Sequence, residues 1–177
     1  MSTLFVDTIN EKTSGNGIHI PGHVLQVKSA TKTDKQTTTS ATPLDITGLS
    51  VSITPSSTSS KILVMTNINF GGDNNMYGVI DVLRGSSKIT ESTYPTGSQV
   101  AGTIAVGTDP YDSAFKVLTA SHNFLDSPAS TSSLTYKVQF ASTYGSRLFT
   151  INAPYHTVDA SYIVGGTSTI TVMEIGG

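Results

Sequence analysis

Apolar residues in this sequence recur at every second position, and no window shows the three- or four-residue spacing of an amphipathic helix. The alternation is clearest at Leu49, Val51 and Ile53, and again across residues 62–70, 136–140 and 170–175. A strand places successive side chains on opposite faces, so this spacing buries one face and leaves the other toward solvent. The sequence therefore predicts an all-β protein.

Turn signals rich in Gly, Pro, Asn and Asp separate the predicted strands. Many strands joined by short turns, without helices, favour an antiparallel jelly-roll sandwich. We predict strands near residues 4–9, 17–20, 23–31, 35–46, 48–54, 60–70, 76–84, 87–92, 114–125, 134–143, 147–151, 155–164 and 167–175.

The composition suits such a fold. A chain of 177 residues is long enough for one domain, which buries about 70% of the surface of its unfolded chain. Charged residues make up only 12% of the sequence, whereas 24 residues are Ser and 27 are Thr. Low charge does not indicate disorder here, because branched and aromatic residues recur throughout and threonine favours extended chain.

Several function classes find no support. With a net charge of −2, the chain has no excess of positive charge that would attract nucleic acid. No apolar run approaches the roughly 18 residues of a membrane-spanning helix, so we expect no membrane insertion. There is no cysteine, hence no disulfide or thiolate metal site. No nucleophile elbow, phosphate loop or pair of catalytic carboxylates stands out. We expect a protein that is not an enzyme and needs no cofactor.

We divide the chain into a leader, residues 1–22, and a head domain, residues 23–177. The leader makes at most a small hairpin of residues 5–9 and 18–20, which is marginal in water by itself. Its order therefore needs a partner, either the head or further copies of the leader. In a homotrimer the apolar leader side chains would be buried along the axis, namely Leu4, Val6, Ile9, Ile18 and Ile20.

Two head segments carry expectations about packing. The polar segment 28–47 predicts an exposed edge strand. The last strand is apolar on both faces, with Ile170 and Val172 on one face and Met173 on the other. We expect Met173 at a subunit interface, since a strand apolar on both faces is covered on both. Glu174 shares the face of Ile170, where we expect it to reach solvent or a donor of a partner.

Two histidines near the start, His19 and His23, are spaced four apart. On a helix this spacing would align two metal ligands, but Pro21 and Gly22 prevent a helix here. They are surface or packing residues, unless one lies on a threefold axis and supplies three imidazoles to a metal.

Loop residues provide the candidate binding positions. Asp73, Asn74 and Asn75 lie together in a predicted turn. Their oxygens suit Ca²⁺ or sugar hydroxyls, although Asp and Asn are also what a tight turn favours.

Three tyrosines lie near loops, where an aromatic face with a polar tip suits recognition. They are Tyr94, Tyr111 and Tyr144. We expect three others to pack within strands, namely Tyr77, Tyr136 and Tyr162.

Four stretches in order resemble a domain of tail-fibre and related virion proteins of tailed bacteriophages, especially marine ones. They are VLQV at 24–27, TGLSVSITPSSTSSKILVMTNINFGG at 47–72, FLDSPASTSSLTYKVQFAST at 124–143 and GGTSTITVMEIGG at 165–177. The leader also looks like short units of such fibres.

The resemblance implies a virion structural protein, a trimer of jelly rolls similar to C1q/TNF heads. It implies contact with other virion proteins through the leader, and with a host-surface glycan or protein through the head loops. It leaves open whether the protein is a tail-fibre subunit, or a capsid decoration, head-fibre or tail adaptor protein with a mainly structural role.

Overall fold

The computed structural model describes Thr8, residues 22–111 and residues 114–177. All its strand pairs are antiparallel, and these residues contain no helix. The strands are β1 (Val24–Lys32), β2 (Gln36–Thr38), β3 (Leu44–Ile53), β4 (Lys61–Gly72), β5 (Tyr77–Arg84), β6 (Ser87–Lys88), β7 (Ile104–Gly107), β8 (Leu118–Asp126), β9 (Leu134–Ser142), β10 (Phe149–Ile151) and β11 (Ser168–Ile175).

The strands form two sheets packed as a sandwich. The first sheet runs β1–β11–β4–β8, and β2 and β10 extend it beside the far part of β4. The second runs β3–β9–β5, with β6 and β7 both on the free edge of β5. Along the chain, most connections cross from one sheet to the other. This strand order is that of a jelly roll, so the predicted fold class is confirmed.

The core lies between the inner faces that the alternation predicted. Ile62, Val64 and Ile68 of β4 are buried, and so are Tyr136, Val138 and Phe140 of β9 and Ile170 and Val172 of β11. Edge-to-face contacts fill the centre, with the ring centroids of Phe140 and Phe149 5.2 Å apart. Burial of these side chains is what holds the two sheets together.

The link between β3 and β4 also follows the sequence. β3 ends just before Pro55, the hydroxyl of Ser57 accepts a bond from the Ser59 amide, and β4 begins at Lys61. The Ser/Thr run 56–60 thus bends the chain through side-chain-to-backbone bonds.

Other strand predictions were wrong. The stretch 35–46 is not one strand, because the Ser40 side chain bonds to the backbone of Thr42 and turns the chain between β2 and β3. Residues 155–164 form no strand, and β7 lies within a stretch read as loop. Among the strands that the structure describes, β1 pairs with β11 alone, which agrees with the edge position predicted for segment 28–47.

Glu174 corrects a further expectation. Its side chain is fully buried and accepts bonds from its own chain, from the Ser56 amide at 2.7 Å and from the Gln26 Nε2 at 2.6 Å. Burial raises the pKa of Glu174, but these donors outweigh it and hold the pKa below its ordinary value. The carboxylate therefore links the ends of β1, β3 and β11, and it reaches neither solvent nor another molecule.

The two ends of the sandwich differ. At one end, which we call the base, the chain enters at Gly22, whose amide bonds to the carbonyl of Gly176 at 2.7 Å. At the opposite end, which we call the tip, β4 ends beside β10 at the pair Gly72 and Phe149. The base thus carries the junction with the leader, and the tip carries the connections β4–β5, β7–β8 and β9–β10.

Candidate binding site at the tip of the sandwich

Asp73 ties the tip loops together. Its amide donates to the carbonyl of Leu148 at 2.9 Å, its carbonyl accepts from the hydroxyl of Thr108, and its carboxylate pairs with Arg147 at 3.0 Å. Three connections are therefore joined at one residue. Its carboxylate is engaged in an ion pair and in the turn itself, since Oδ1 also accepts from the Asn74 amide.

The neighbouring asparagines follow the turn that Asp73 forms. Asn75 has a φ of 58°, a conformation that Asn tolerates better than most residues. The amide of Met76 then bonds back to the carbonyl of Asp73. These contacts match the turn interpretation of Asp73, Asn74 and Asn75, and the ligand interpretation stays a prediction.

The ring of Tyr144 contacts the ring of Tyr77, which the sequence pattern assigned to packing within a strand. Tyr77, the first residue of β5, is 50% exposed, and its ring centroid lies 5.9 Å from that of Tyr144 at an angle of 82°. The two rings form one wall of an open cleft of about 310 Å³. Its other walls include Ser98, Val100 and Thr143. The expectation that Tyr77 packs within the strand was therefore wrong.

The opposite wall belongs to residues 89–103, which we call the flap. The flap leaves β6, crosses the outer face of β5 and returns as β7. The amide of Thr103 donates to the buried carboxylate of Asp81 at 3.0 Å, and Lys88 pairs with the same carboxylate at 3.2 Å. A Cβ on Gly102 would lie 2.7 Å from Cβ of Val79, so only glycine lets the flap approach so closely.

Tyr94 lies on the flap beside a second cleft of about 350 Å³. This cleft and the first share Val100 and Ala105. The structure therefore brings Tyr94 and Tyr144, two of the candidate residues, to adjoining clefts. Composition gave no sign of this arrangement, because it depends on how the flap folds over β5.

Tyr111 is separate from both clefts. It is 90% exposed, and its amide bonds to the Asp109 carboxylate. Nearby, the centroid of Phe115 lies 4.8 Å from His156 and 5.9 Å from Tyr162. Tyr162 is exposed, so its assignment to strand packing was also wrong.

Tyr136 packs in the core as predicted, but it has polar partners that the sequence pattern missed. Its hydroxyl donates to Asp126 at 2.6 Å, and Arg84 donates to the same carboxylate oxygen at 2.6 Å. Burial raises the pKa of Tyr136, as does the bond to Asp126. This group joins β5, β8 and β9 between the two sheets.

The residues predicted for assembly lie at the base or outside the described range. Leu4, Val6, Ile9, Ile18, Ile20 and His19 lie outside it, and His23 is exposed, with its carbonyl bonded to the Gly176 amide. Met173 is half-buried on the outer face of the first sheet. Its direct neighbours across the strands complete a row that we call the apolar row, formed by Val27, Met173, Leu63 and Leu125.

The described residues offer neither a metal-binding cluster nor a membrane-spanning helix. Within residues 22–111 and 114–177, no three His, Asp or Glu side chains are grouped so that they would hold a metal. In the same ranges, no helix has the length and hydropathy needed to cross a membrane.

No family model matches the sequence, and no curated protein matches it. Among solved structures, the chain is similar to one from infectious bursal disease virus, Gx strain, with 12% identity and a TM-score of 0.40 over 97% of this chain and 46% of that one. It is also similar to the VP2 subviral particle of infectious bursal disease virus, with 9% identity and a TM-score of 0.32 over 86% and 38% of the two chains.

This chain thus spans less than half the length of either of these two viral chains. Likenesses of this size establish neither a family nor a function, and the jelly-roll assignment follows from the strand order. Neither structure is a tailed-phage or C1q/TNF protein, so the resemblance to phage fibres stays a prediction.

Proposed function

We propose that this chain is a non-enzymatic virion structural protein, a trimeric fibre head that projects from the particle and contacts the host surface through its tip. The observation that carries the proposal is that the leader junction and the cleft lie at opposite ends of the sandwich. The chain enters at the base beside Gly176, whereas the Tyr77–Tyr144 cleft opens at the other end. A protein attached through its leader would present this cleft outward, and loops on a rigid β scaffold commonly carry recognition.

The apolar row supports assembly. Val27 and Leu125 are 51% and 47% exposed in the single chain, although they flank Met173 and Leu63 in an unbroken line across four strands. Two further copies of this chain are the occupants that we propose for this face, because most soluble oligomers are closed homo-oligomers and an exposed apolar patch close to their symmetry axis is buried between the copies. Three weak tip sites would then act together by avidity.

Light scattering tests the trimer. We expect a particle of three 18.5 kDa chains at micromolar concentration, and a single-chain particle would overturn this part of the proposal.

Gold-labelled antibodies against the head test the location, on purified particles whose genome encodes this chain. We expect label on projections of the particle and, with the purified protein as competitor, fewer particles adsorbed to host cells. Absence of label from the particles would overturn the proposal.

The second candidate is a capsid decoration, head-fibre or tail adaptor protein with a mainly structural role. The apolar row favours it, since an exposed apolar line beside the leader junction also suits packing on another virion protein. In that case the label would lie flat on the capsid or at the tail junction, and the competitor would leave adsorption unchanged.

A further inference from the structure

We propose that the Tyr77–Tyr144 cleft binds a neutral saccharide. This inference rests on the proposed function and deepens it by naming the class of ligand at the tip. At about 310 Å³ the cleft lies at the small end of the range for ligand sites, which suits a short saccharide.

The walls have the chemistry that sugar rings require. The two tyrosine rings meet edge to face, and Tyr144 is 61% exposed, so an aromatic face is open to the C–H surface of a sugar. Ser98 and Thr143 line the same cleft, and Oγ1 of Thr143, which donates to the carbonyl of Tyr77 at 3.1 Å, can still accept a hydrogen bond. Hydroxyl and phenol groups both donate and accept, as sugar hydroxyls do.

The absence of charge on the cleft lining favours a neutral ligand over an acidic one. All nine residues that line the cleft are uncharged. In the adjoining turn, Arg147 pairs with Asp73 at 3.0 Å and so offers no unpaired cation for a carboxylate or phosphate. A ligand that carries charge would lose its hydration here without a counter-charge, which is why the neutral class is favoured over sialylated or phosphorylated glycans.

The adjoining cleft indicates in which direction a longer ligand would extend. Val100 and Ala105 line both clefts, and Tyr94 and Gln99 line only the second. A longer saccharide would therefore continue past Val100 along the flap and reach Tyr94. Substitution at Tyr94 should weaken the longer ligands only.

The test uses the full chain on a printed array of neutral, sialylated and phosphorylated glycans, followed by calorimetry with the strongest neutral ligand. We expect neutral binders, with affinity reduced about tenfold or more in Tyr144→Ala and in Tyr77→Ala. Tyr111→Ala is the matched control, because that tyrosine is exposed, outside the cleft, and should leave the affinity unchanged. Thermal melting of each variant shows that the fold is kept.

Each other outcome overturns the inference in a recognisable way. A preference for charged glycans would show that the ligand belongs to another chemical class. An equal loss of affinity in Tyr111→Ala would show that the binding site lies elsewhere. If no glycan binds but the protein still blocks adsorption of particles to host cells, the saccharide inference fails while the proposed function stands. If the protein neither binds glycans nor affects adsorption, and the particles carry no label, both fail.

Discussion

At the scale of single residues, the alternation predicted which side chains face inward but not which polar ones find partners there. Tyr136 was placed in the core from its spacing, yet its bond to Asp126 joins residues ten positions apart on different sheets. The spacing placed Glu174 on the core face, where we expected its carboxylate to reach solvent or a donor of a partner. Its donors come from residues 26 and 56, and such distant pairs are set by the tertiary fold rather than by the local pattern.

Glu174 gives the first prediction, a loss of stability on acidification. A carboxyl with a lowered pKa in the folded state stabilises the fold above its unfolded pKa, and that stability is lost as the pH falls through the folded value. We expect Glu174→Gln to cost about 2 kcal/mol at pH 7, because hydrogen bonds to a buried charge are lost. At pH 3 the difference from the native chain should shrink.

Thermal melting at both pH values measures this, with Asp159→Asn as the control for removal of an exposed carboxylate. An equal cost at pH 7 and pH 3 would show that the charge of Glu174 does not stabilise the fold.

At the scale of elements, the long alternating strands were predictable from the sequence, whereas the irregular segments between them were not. β4, β5, β9 and β11 match the predicted bounds closely because at least one face of each is buried. Residues 155–164 contain β-branched and aromatic residues, but they follow Asn152, whose φ is 64°. The side-chain amide of Asn152 donates to the carbonyls of Lys32 and Asp34, and so joins the end of β10 to the turn between β1 and β2. The flap was missed likewise, since its contacts with β5 are tertiary.

The two faces of β11 give the second prediction. Ile170 and Val172 are fully buried, so Val172→Asp would place an unpaired charge in the core and cost several kcal/mol, a large part of the stability of a domain. Met173→Asp changes the outer face, at the centre of the apolar row. We expect it to shift the assembly toward single chains while the sandwich stays folded.

Sedimentation and thermal melting separate the two effects, and Ser50→Asp, exposed on β3 in the other sheet, is the control. A Met173→Asp protein that stays fully trimeric with an unchanged melting temperature would show that the interface lies elsewhere.

At the scale of the whole molecule, the jelly roll was predictable from many short strands, whereas the position of the candidate site was not. Asp73 and Tyr144 come to one end because the antiparallel strands that carry them end there. Tyr77 joins them only because β5 begins where β4 turns back. The sequence therefore identified the types of loop residue, and the fold determines which of them lie together at the tip.

The last prediction concerns the division between leader and head. Among the described residues, removal of residues 1–22 takes away the backbone bond from the Gly22 amide to the Gly176 carbonyl, and it leaves the described strands and the buried core side chains in the chain. We expect the shortened chain to keep its β spectrum and to melt within a few degrees of the full chain. It should no longer bind particles that lack this protein, measured by co-sedimentation with the full chain as control. If the shortened chain is unfolded, the core of the head extends into the leader, and the boundary at residue 22 is wrong.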